Sequence, residues 1–202
     1  MSQITAIMLT AGESTRMGSP KALLDWFGKP LIQWQIETLL DAGISDVIVV
    51  LGHSHESISK YVSGKNIATV VNHNYKQGKT TSVKAGVQLL KDNARHVLLL
   101  SVDQPRPKEL ISLLIDRHLE NNALITAPRF EGHGGHPVIY SIELKDKLKQ
   151  VSEVNLGVRE IMSLYRSEIQ WVKVDSSVAT LDLNTPEVYQ KAKSIFVELL
   201  DN

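Results

Sequence analysis

The chain has 202 residues, of which 43% are hydrophobic and 22% are charged, a composition typical of a globular protein with a sizeable core. Its 22 basic residues equal its 22 acidic residues in number, so no net charge attracts the protein to nucleic acid or to an anionic membrane. There are no cysteines, which excludes disulfides and thiolate metal sites.

Short apolar runs alternate along the chain with longer segments of helical period. We predict strands at 4–9, 47–51, 67–71, 97–102, 123–127, 138–140, 169–174 and 180–183. We predict helices at 30–40, 54–62 (capped by Ser54), 80–90, 107–119, 143–150, 158–164 and 186–200. Repeated strand–helix–strand units indicate an α/β fold: a mostly parallel central sheet between two helical layers, in a three-layer α/β/α Rossmann-like arrangement. Ligands then bind beyond the carboxyl ends of the strands.

The loop after the first strand combines small residues with two cations, in the segment Leu9-Thr10-Ala11-Gly12-Glu13-Ser14-Thr15-Arg16-Met17-Gly18-Ser19-Pro20-Lys21. Gly12 and Gly18 would let backbone N–H groups approach an anion closely. Arg16 and Lys21 could hold phosphate oxygens. The loop is not a Walker P-loop, which has Ser or Thr after its Gly-Lys pair. From residue types alone, a triphosphate cradle and a solvated basic loop remain open.

This segment resembles the L-x-A-G-x-S-x-R-M-G-x-x-K signature of the molybdenum cofactor nucleotidyltransferases, the MobA-like NTP transferases. Thr10 stands where many members have Ala. The resemblance covers nearly the whole chain and implies a magnesium-dependent nucleotidyltransferase fold and activity. It implies catalytic roles for Arg16, Lys21 and Asp103, and nucleotide contacts from Leu9, Thr10, Ala11, Gly12, Glu13, Ser14, Arg16, Met17, Gly18 and Lys21.

Asp103 follows the fourth predicted strand, in the sequence Asp103-Gln104-Pro105. A carboxylate at the end of a buried strand is held rigidly at the ligand face, and magnesium takes hard oxygen ligands. The same residue could instead cap the following helix. In the resembled family, the aspartate in this Asp-x-Pro setting carries the metal, although many members have Gly where Val102 stands here.

A second pair of candidate metal ligands is Asp182 and Asn184, in Leu181-Asp182-Leu183-Asn184-Thr185-Pro186. If this segment is a strand, alternation places both side chains on one side. The segment is also a good helix start, with Thr185 as the cap and Pro186 at the first position. The resemblance implies that it does both.

Two further segments resemble the cytidylyltransferase branch of the family. Asn72 to Lys84 matches a stretch that lines the nucleotide pocket, and Ser82 is its best candidate for a nucleotide contact. Gly134-Gly135-His136-Pro137 matches a G-H-P segment near the acceptor phosphate, so His136 is a candidate acceptor-binding residue, or else a structural histidine at a strand start. Trp26, Trp34 and Trp171 are expected to be separate packing residues.

The resemblance favours CTP as donor and molybdopterin (molybdenum cofactor) as acceptor, with pyrophosphate as product. Ala11 argues for CTP, because a side chain there would crowd a larger purine, whereas Thr10 departs from the branch pattern. Two alternatives stay open. One is a related transferase that uses GTP or a sugar or polyol phosphate. The other is a non-catalytic nucleotide- or cofactor-binding insertion factor.

The cellular setting can be inferred only in outline. The N-terminus lacks the basic start and long apolar run of a signal peptide, and no apolar stretch approaches the roughly 20 residues that span a bilayer. We therefore expect a cytoplasmic protein with no membrane or nucleic-acid partner and with a molybdoenzyme or chaperone as client. We treat 1–202 as one nucleotidyltransferase domain, with a nucleotide-binding half (1–105) and an acceptor-binding half (106–202).

Overall fold

The structure is a computed structural model that describes residues 3–14 and 17–200. Apolar runs of mostly β-branched and leucine residues form the main strands, as such residues favour a pleated, buried surface. The strands are β1 (Ile4–Leu9), β2 (Asp25–Trp26), β3 (Lys29–Pro30), β4 (Asp46–Leu51), β5 (Ile67–Val71), β6 (His96–Ser101), β7 (Ile125–Phe130), β8 (His133–Gly134), β9 (Val138–Ser141) and β10 (Ile169–Lys173).

The main sheet has the order β10-β7-β9-β6-β1-β4-β5, with β8 paired to β7. The pairs β6·β1, β1·β4, β4·β5 and β7·β10 are parallel, whereas β9 is antiparallel to both of its neighbours. The predicted mostly parallel sheet is confirmed. A separate antiparallel pair joins β2 to β3.

Helices cover both faces of the sheet. They are α1 (Leu31–Asp41), α2 (His55–Ile58), α3 (Lys79–Gln88), α4 (Lys108–Glu120), α5 (Lys145–Gln150), α6 (Val158–Leu164) and α7 (Pro186–Leu200). Along β1, Ile4 and Met8 pack in one hydrophobic cluster with α1, α4 and α7, whereas Ile7 and Leu9 pack in a second cluster with α3, α5 and α6. This period-two alternation across a doubly buried strand confirms the three-layer architecture. No helix in the described part of the chain is long and apolar enough to cross a membrane.

The strand predicted at 180–183 is wrong. A 3₁₀-helix occupies Ser177–Thr180, and the following residues have no strand partner. Their backbone groups bond elsewhere: the Leu183 N–H donates to the Asp103 carbonyl at 2.7 Å, and the Leu181 carbonyl accepts from the Arg106 guanidinium at 2.8 Å. The predicted helix start at Thr185-Pro186 is confirmed, with the Thr185 hydroxyl accepting from the Val188 N–H at 3.4 Å.

Two smaller expectations also fail. Ser54 precedes α2 with a φ of 59° and makes no side-chain capping bond. Trp26 and Trp34 are not separate, because their ring centroids lie 6.0 Å apart, and both rings pack against Phe196. Trp171 is on β10, away from this aromatic group.

Candidate active site

A cleft of about 320 Å³ opens at the carboxyl ends of β1 and β6. The first loop reaches over from β1, and the backbone of Val102 donates to the Leu9 carbonyl at 3.0 Å, which holds the two strand ends together. The cleft is lined by Leu9, Thr10, Ala11, Gly12, Ser14, Pro20, Lys21, Ala22, Ile58, Tyr75, Lys79, Ser82, Ser101, Val102 and Asp103. A crevice at this end of a parallel sheet is the general ligand position in such folds.

Lys21 and Asp103 line the cleft, and the Lys21 ammonium connects Asp103 to a third polar side chain, that of Asn184. The Nζ atom of Lys21 donates to Oδ2 of Asp103 at 2.8 Å and to Oδ1 of Asn184 at 2.9 Å. The side chains of Lys21 and Asp103 are only 11% and 26% exposed, so this ion pair is shielded from most of the solvent. The N–H of Lys21 also donates to the Ser14 hydroxyl at 3.1 Å, which ties the first loop to the same point.

Asp103 does not cap the following helix. The residue before α4 is Pro107, and no side chain makes a capping bond there. The alternative structural role considered for this carboxylate is therefore absent, and Oδ2 is directed to Lys21 instead.

Asp182 lies near this group but has a different partner. Its Oδ1 atom accepts from Nε2 of the buried Gln104 at 2.8 Å, and Oε1 of Gln104 accepts from the Ser101 N–H at 3.1 Å. Gln104 thus connects Asp182 to the end of β6. The structure brings Asn184, rather than Asp182, into contact with Lys21.

The start of the first loop is held in place by contacts with β4 and with the turn that follows β4. Thr10 is buried, and its hydroxyl and N–H both donate to the Val50 carbonyl, at 2.8 and 2.9 Å. The methyl group of Ala11 lies against Gly52, where an added Cβ would come within 2.6 Å of it. Gly52 therefore permits the close approach of the two loops, and any larger residue there would collide with Ala11.

The remaining predicted loop residues are placed differently. Glu13 contacts Lys76 in an exposed ion pair at 3.8 Å, and Met17 and Gly18 do not line the cleft. Arg16 and its neighbour Thr15 lie outside the described residues.

Ser82 lines the cleft from α3. Asn72 follows β5, and its Nδ2 atom donates to the Ser82 hydroxyl at 2.9 Å and to the Thr81 hydroxyl at 2.8 Å, while its Oδ1 accepts from the Asn74 N–H. Because the Ser82 oxygen accepts from Asn72, its own proton remains available to donate to a ligand.

A second cavity, of about 480 Å³, lies beside the cleft. Its walls are largely apolar and aromatic, and its polar members include Lys79, His136, Glu153 and Arg159; the apolar part comprises Val83, Leu99, Val138, Tyr140, Leu156, Val158, Met162 and Trp171. Burial, with the nearby charges of Lys79, Arg106 and Arg159 opposing that of Asp103, lowers the pKa of His136 to about 4. The imidazole is therefore neutral near pH 7.

Arg106 holds together the loops that surround these cavities. It is 1% exposed, and its guanidinium donates to the carbonyls of Pro105, His136, Ala179 and Leu181, at distances between 2.8 and 3.1 Å. Burial lowers its pKa to about 10, with Asp182 and Asp103 acting in the opposite direction, so it keeps its charge near neutral pH. The planar guanidinium, which carries five N–H donors, thus binds four carbonyls from three segments of the chain.

Sequence reasoning did not select Gly52, Tyr75, Lys79, Gln104, Arg106 or Arg159 as site residues. Lys79 carried one usable signal: it begins a helix, where the positive end of the dipole disfavours a cation. Arg106 and Arg159 carried none, because their roles depend on segments distant in the chain.

These features, a glycine-bearing loop after β1 and an acid after β6 facing one cleft, define the chain as a nucleotidyltransferase. It belongs to the MobA-like NTP transferase family, whose model matches residues 6–171. The chain is 30% identical to the molybdenum cofactor cytidylyltransferase of Escherichia coli (strain K12), over 98% of this chain and 100% of that protein.

Two solved structures show the same fold at lower identity. A nucleotidyl transferase from Methanothermobacter superposes with a TM-score of 0.81 at 19% identity, covering 97% of this chain and 98% of that one. Rv0371c from Mycobacterium tuberculosis H37Rv, in complex with manganese, superposes with a TM-score of 0.77 at 21% identity, covering 96% and 98%.

Proposed function

We propose that this protein transfers the cytidylyl group of CTP to the phosphate of a molybdopterin-type cofactor and releases pyrophosphate. One observation carries the proposal: Lys21 and Asp103 form an ion pair in a cleft that adjoins a second, cation-bearing cavity, and Lys21 also contacts Asn184. The identity to the E. coli cytidylyltransferase supports the choice of base and acceptor.

The triphosphate would lie along the first loop. Gly12, Ser14 and Lys21 line the cleft there, and Ser82 faces it from α3. Lys21, with Arg16 from the same loop, would bind phosphate oxygens and offset the charge that develops on the leaving pyrophosphate. Leu9, Thr10 and Ala11 would pack against the nucleoside part of the donor.

The side-chain oxygens near Lys21 fit a divalent cation such as magnesium. Two hard oxygens, Oδ2 of Asp103 and Oδ1 of Asn184, already converge on one positive charge, the Lys21 ammonium. The described residues contain no cluster of three or more His, Asp or Glu side chains able to hold a metal, so phosphate oxygens and water would complete the coordination, as magnesium commonly requires. Asp182, whose Oδ1 atom accepts from Gln104, would contribute only through an intervening water. When bound, the cation would polarise the α-phosphate.

The transfer requires no general base. An oxygen of the acceptor phosphate forms a bond to the α-phosphorus, the bond from that phosphorus to the α,β-bridging oxygen breaks, and pyrophosphate leaves with the electron pair. A phosphate monoester is already largely dianionic near pH 7, so no proton has to be removed from it. Neutral His136 can then serve as a hydrogen-bond donor to the acceptor rather than as a base.

The second cavity favours an acceptor with a ring system over a sugar or polyol phosphate. Tyr140, Met162 and Trp171 contribute apolar and aromatic surface against which a ring can pack, whereas a sugar or polyol would place hydroxyl groups against that surface. Residues 1–105 would supply most nucleotide contacts. The acceptor cavity also draws on Thr80, Val83 and Leu99, so it would not belong to residues 106–202 alone. The cysteine-free chain suits a cytoplasmic site of action.

The test is pyrophosphate release with each of the four nucleoside triphosphates and magnesium, with and without molybdenum cofactor. CTP-dependent release only with the cofactor supports the proposal. Release with GTP, or with a sugar or polyol phosphate, supports a related transferase with another substrate. Cofactor binding without release would indicate a non-catalytic insertion factor.

A further inference from the structure

Lys79 is the single residue, within the described part of the chain, that lines both the nucleotide cleft and the second cavity. It is the first residue of α3, and the preceding Gly78 has a φ of 119° that turns the chain into the helix. An ammonium on a flexible four-carbon stem at this junction can reach a ligand group in either space.

The position is electrostatically costly for a cation. The first turn of α3 contains no acidic residue, and the positive end of a helix dipole disfavours a lysine. Glu153 offsets part of this cost, since its Oε1 atom accepts from the Thr80 N–H at 2.7 Å. Lys79 itself forms neither a side-chain hydrogen bond nor a direct ion pair with any described residue.

The charges around Lys79 act on it only from a distance, and none of them is a direct counter-ion. More than a third of the surface of Lys79 is exposed, yet desolvation by the surrounding protein atoms still lowers its pKa. Asp103, Asp182 and Glu153 oppose that shift from a distance, and Arg159 adds to it.

Arg159 is the second cation of the cavity. It lies in the first turn of α6, and its side chain likewise has no direct partner among the described residues. Lys79, His136 and Arg159 all line the second cavity, and the charge of Arg159 lowers the pKa of both Lys79 and His136. Two unpaired cations beside a neutral imidazole, against apolar walls, form a site for an anion attached to an apolar body.

We propose that Lys79 and Arg159 bind the anionic group of the acceptor, and that Lys79 holds it at the junction where it meets the donor's α-phosphate. This inference rests on the proposed transfer reaction for its catalytic part. There, Lys79 would offset the repulsion between the attacking phosphate oxygen and the charged α-phosphate as the new phosphorus–oxygen bond forms.

The kinetic test compares Lys79→Met and Arg159→Met with Lys84→Met, a lysine on the same helix that lines neither cavity. We expect Lys79→Met to lower kcat/KM for the acceptor about 100-fold and to change KM for CTP less than about threefold. Lys79→Arg should recover part of the loss, and Lys84→Met should match the wild type. An acceptor kcat/KM within twofold of the wild type in Lys79→Met would overturn the inference.

A binding test separates this inference from the proposed function. Phenyl phosphate, an aromatic phosphate monoester, is titrated by ligand-observed NMR without nucleotide. Wild type and Lys84→Met should bind it, and Lys79→Met and Arg159→Met should bind at least about tenfold more weakly. No binding to the wild type, or equal binding by all variants, overturns the inference. Binding of this pattern without pyrophosphate release from any triphosphate would overturn the transferase proposal alone.

Thermal unfolding tests whether Lys79 has a merely structural role. Because Lys79→Met removes a cation from the start of a helix, the variant should be as stable as the wild type or slightly more stable. A marked loss of stability would mean that Lys79 supports the fold rather than a ligand, and would also overturn the inference.

Discussion

The Nζ atom of Lys21 lies 2.8 Å from Oδ2 of Asp103, although 82 positions separate the two residues in the chain. They meet because β1 and β6 are adjacent parallel strands, so the loops that follow them emerge at the same edge of the sheet. The pair is mostly shielded from solvent, which makes each side chain dependent on the other when no ligand is present.

Removing either partner should abolish most of the activity. We expect Asp103→Ala and Lys21→Met each to lower the rate of pyrophosphate release at least about 100-fold, because in the proposed reaction both side chains would stabilise the charge of the reacting phosphates. The double variant should be little worse than the more damaged single variant, since the two side chains act as a unit. Asp146→Ala, at an exposed aspartate on α5, provides the control. Wild-type rates in Asp103→Ala would rule out the assignment.

Arg106→Met should destabilise the protein by about 3 kcal/mol or more. The change leaves four carbonyls without their shared donor in a buried place, and each lost partner carries a desolvation penalty. Urea unfolding measures the loss. The matched change Arg117→Met, at an exposed arginine on α4, should stay within about 0.5 kcal/mol of the wild type. Equal stability of the two variants would show that the buried guanidinium is dispensable.

Stability should fall as the pH is lowered from 7 toward 4.5. His118 is fully buried; it contacts Thr126 at 2.8 Å and His96 at 2.9 Å, and burial, followed by His96, lowers its pKa to about 4. The unfolded chain binds a proton near pH 6.5, before the native state does, so the stabilisation is complete above that pH and is lost as the pH falls toward 4.

The contribution of His118 over this range is about 2 kcal/mol. His118→Gln should therefore show a shallower dependence of unfolding free energy on pH than the wild type, whatever its stability at pH 7. His133→Gln, at an exposed histidine of β8, should keep the wild-type slope. Parallel curves for the wild type and His118→Gln would contradict the prediction.

Ala11→Gly should weaken the preference for CTP. Ala11 lines the cleft, and a smaller residue would leave more room for a purine, so we expect the ratio of kcat/KM for CTP to that for GTP to fall about tenfold. Its methyl group also packs against Gly52, so a modest loss of stability, about 1 kcal/mol, should accompany the change. An unchanged ratio would mean that base selection lies elsewhere in the cleft.

The sheet was predictable because its strands are buried on both faces and therefore appear as continuous apolar runs, such as β4 and β6. The segment 180–183 alternates polar and apolar residues, as a half-buried strand does, but its backbone bonds to Arg106 and to the Asp103 carbonyl, and no local pattern encodes that choice of partners. The first cleft was predictable from the residues that follow β1 and β6. The second cavity was not predictable, because its polar groups come from α3, α6 and the loops before β9 and α6, and they meet only in the folded chain.

The hydrogen bond from the Thr80 N–H to Glu153 attaches a loop at the wall of the second cavity to α3. Residues 153–156 form an exposed stretch that ends at the buried Gly157, and the Glu153 carboxylate joins this stretch to α3, where an added Cβ on Gly78 would come within 2.4 Å of the Glu153 side chain. One wall of the second cavity is thus formed by a short surface loop between α5 and α6 and not by the sheet. Exchanging Leu156 would reshape that wall while leaving the strands beneath the first cleft untouched. If the two cavities hold the proposed acceptor and donor, the preference for each can change separately in evolution.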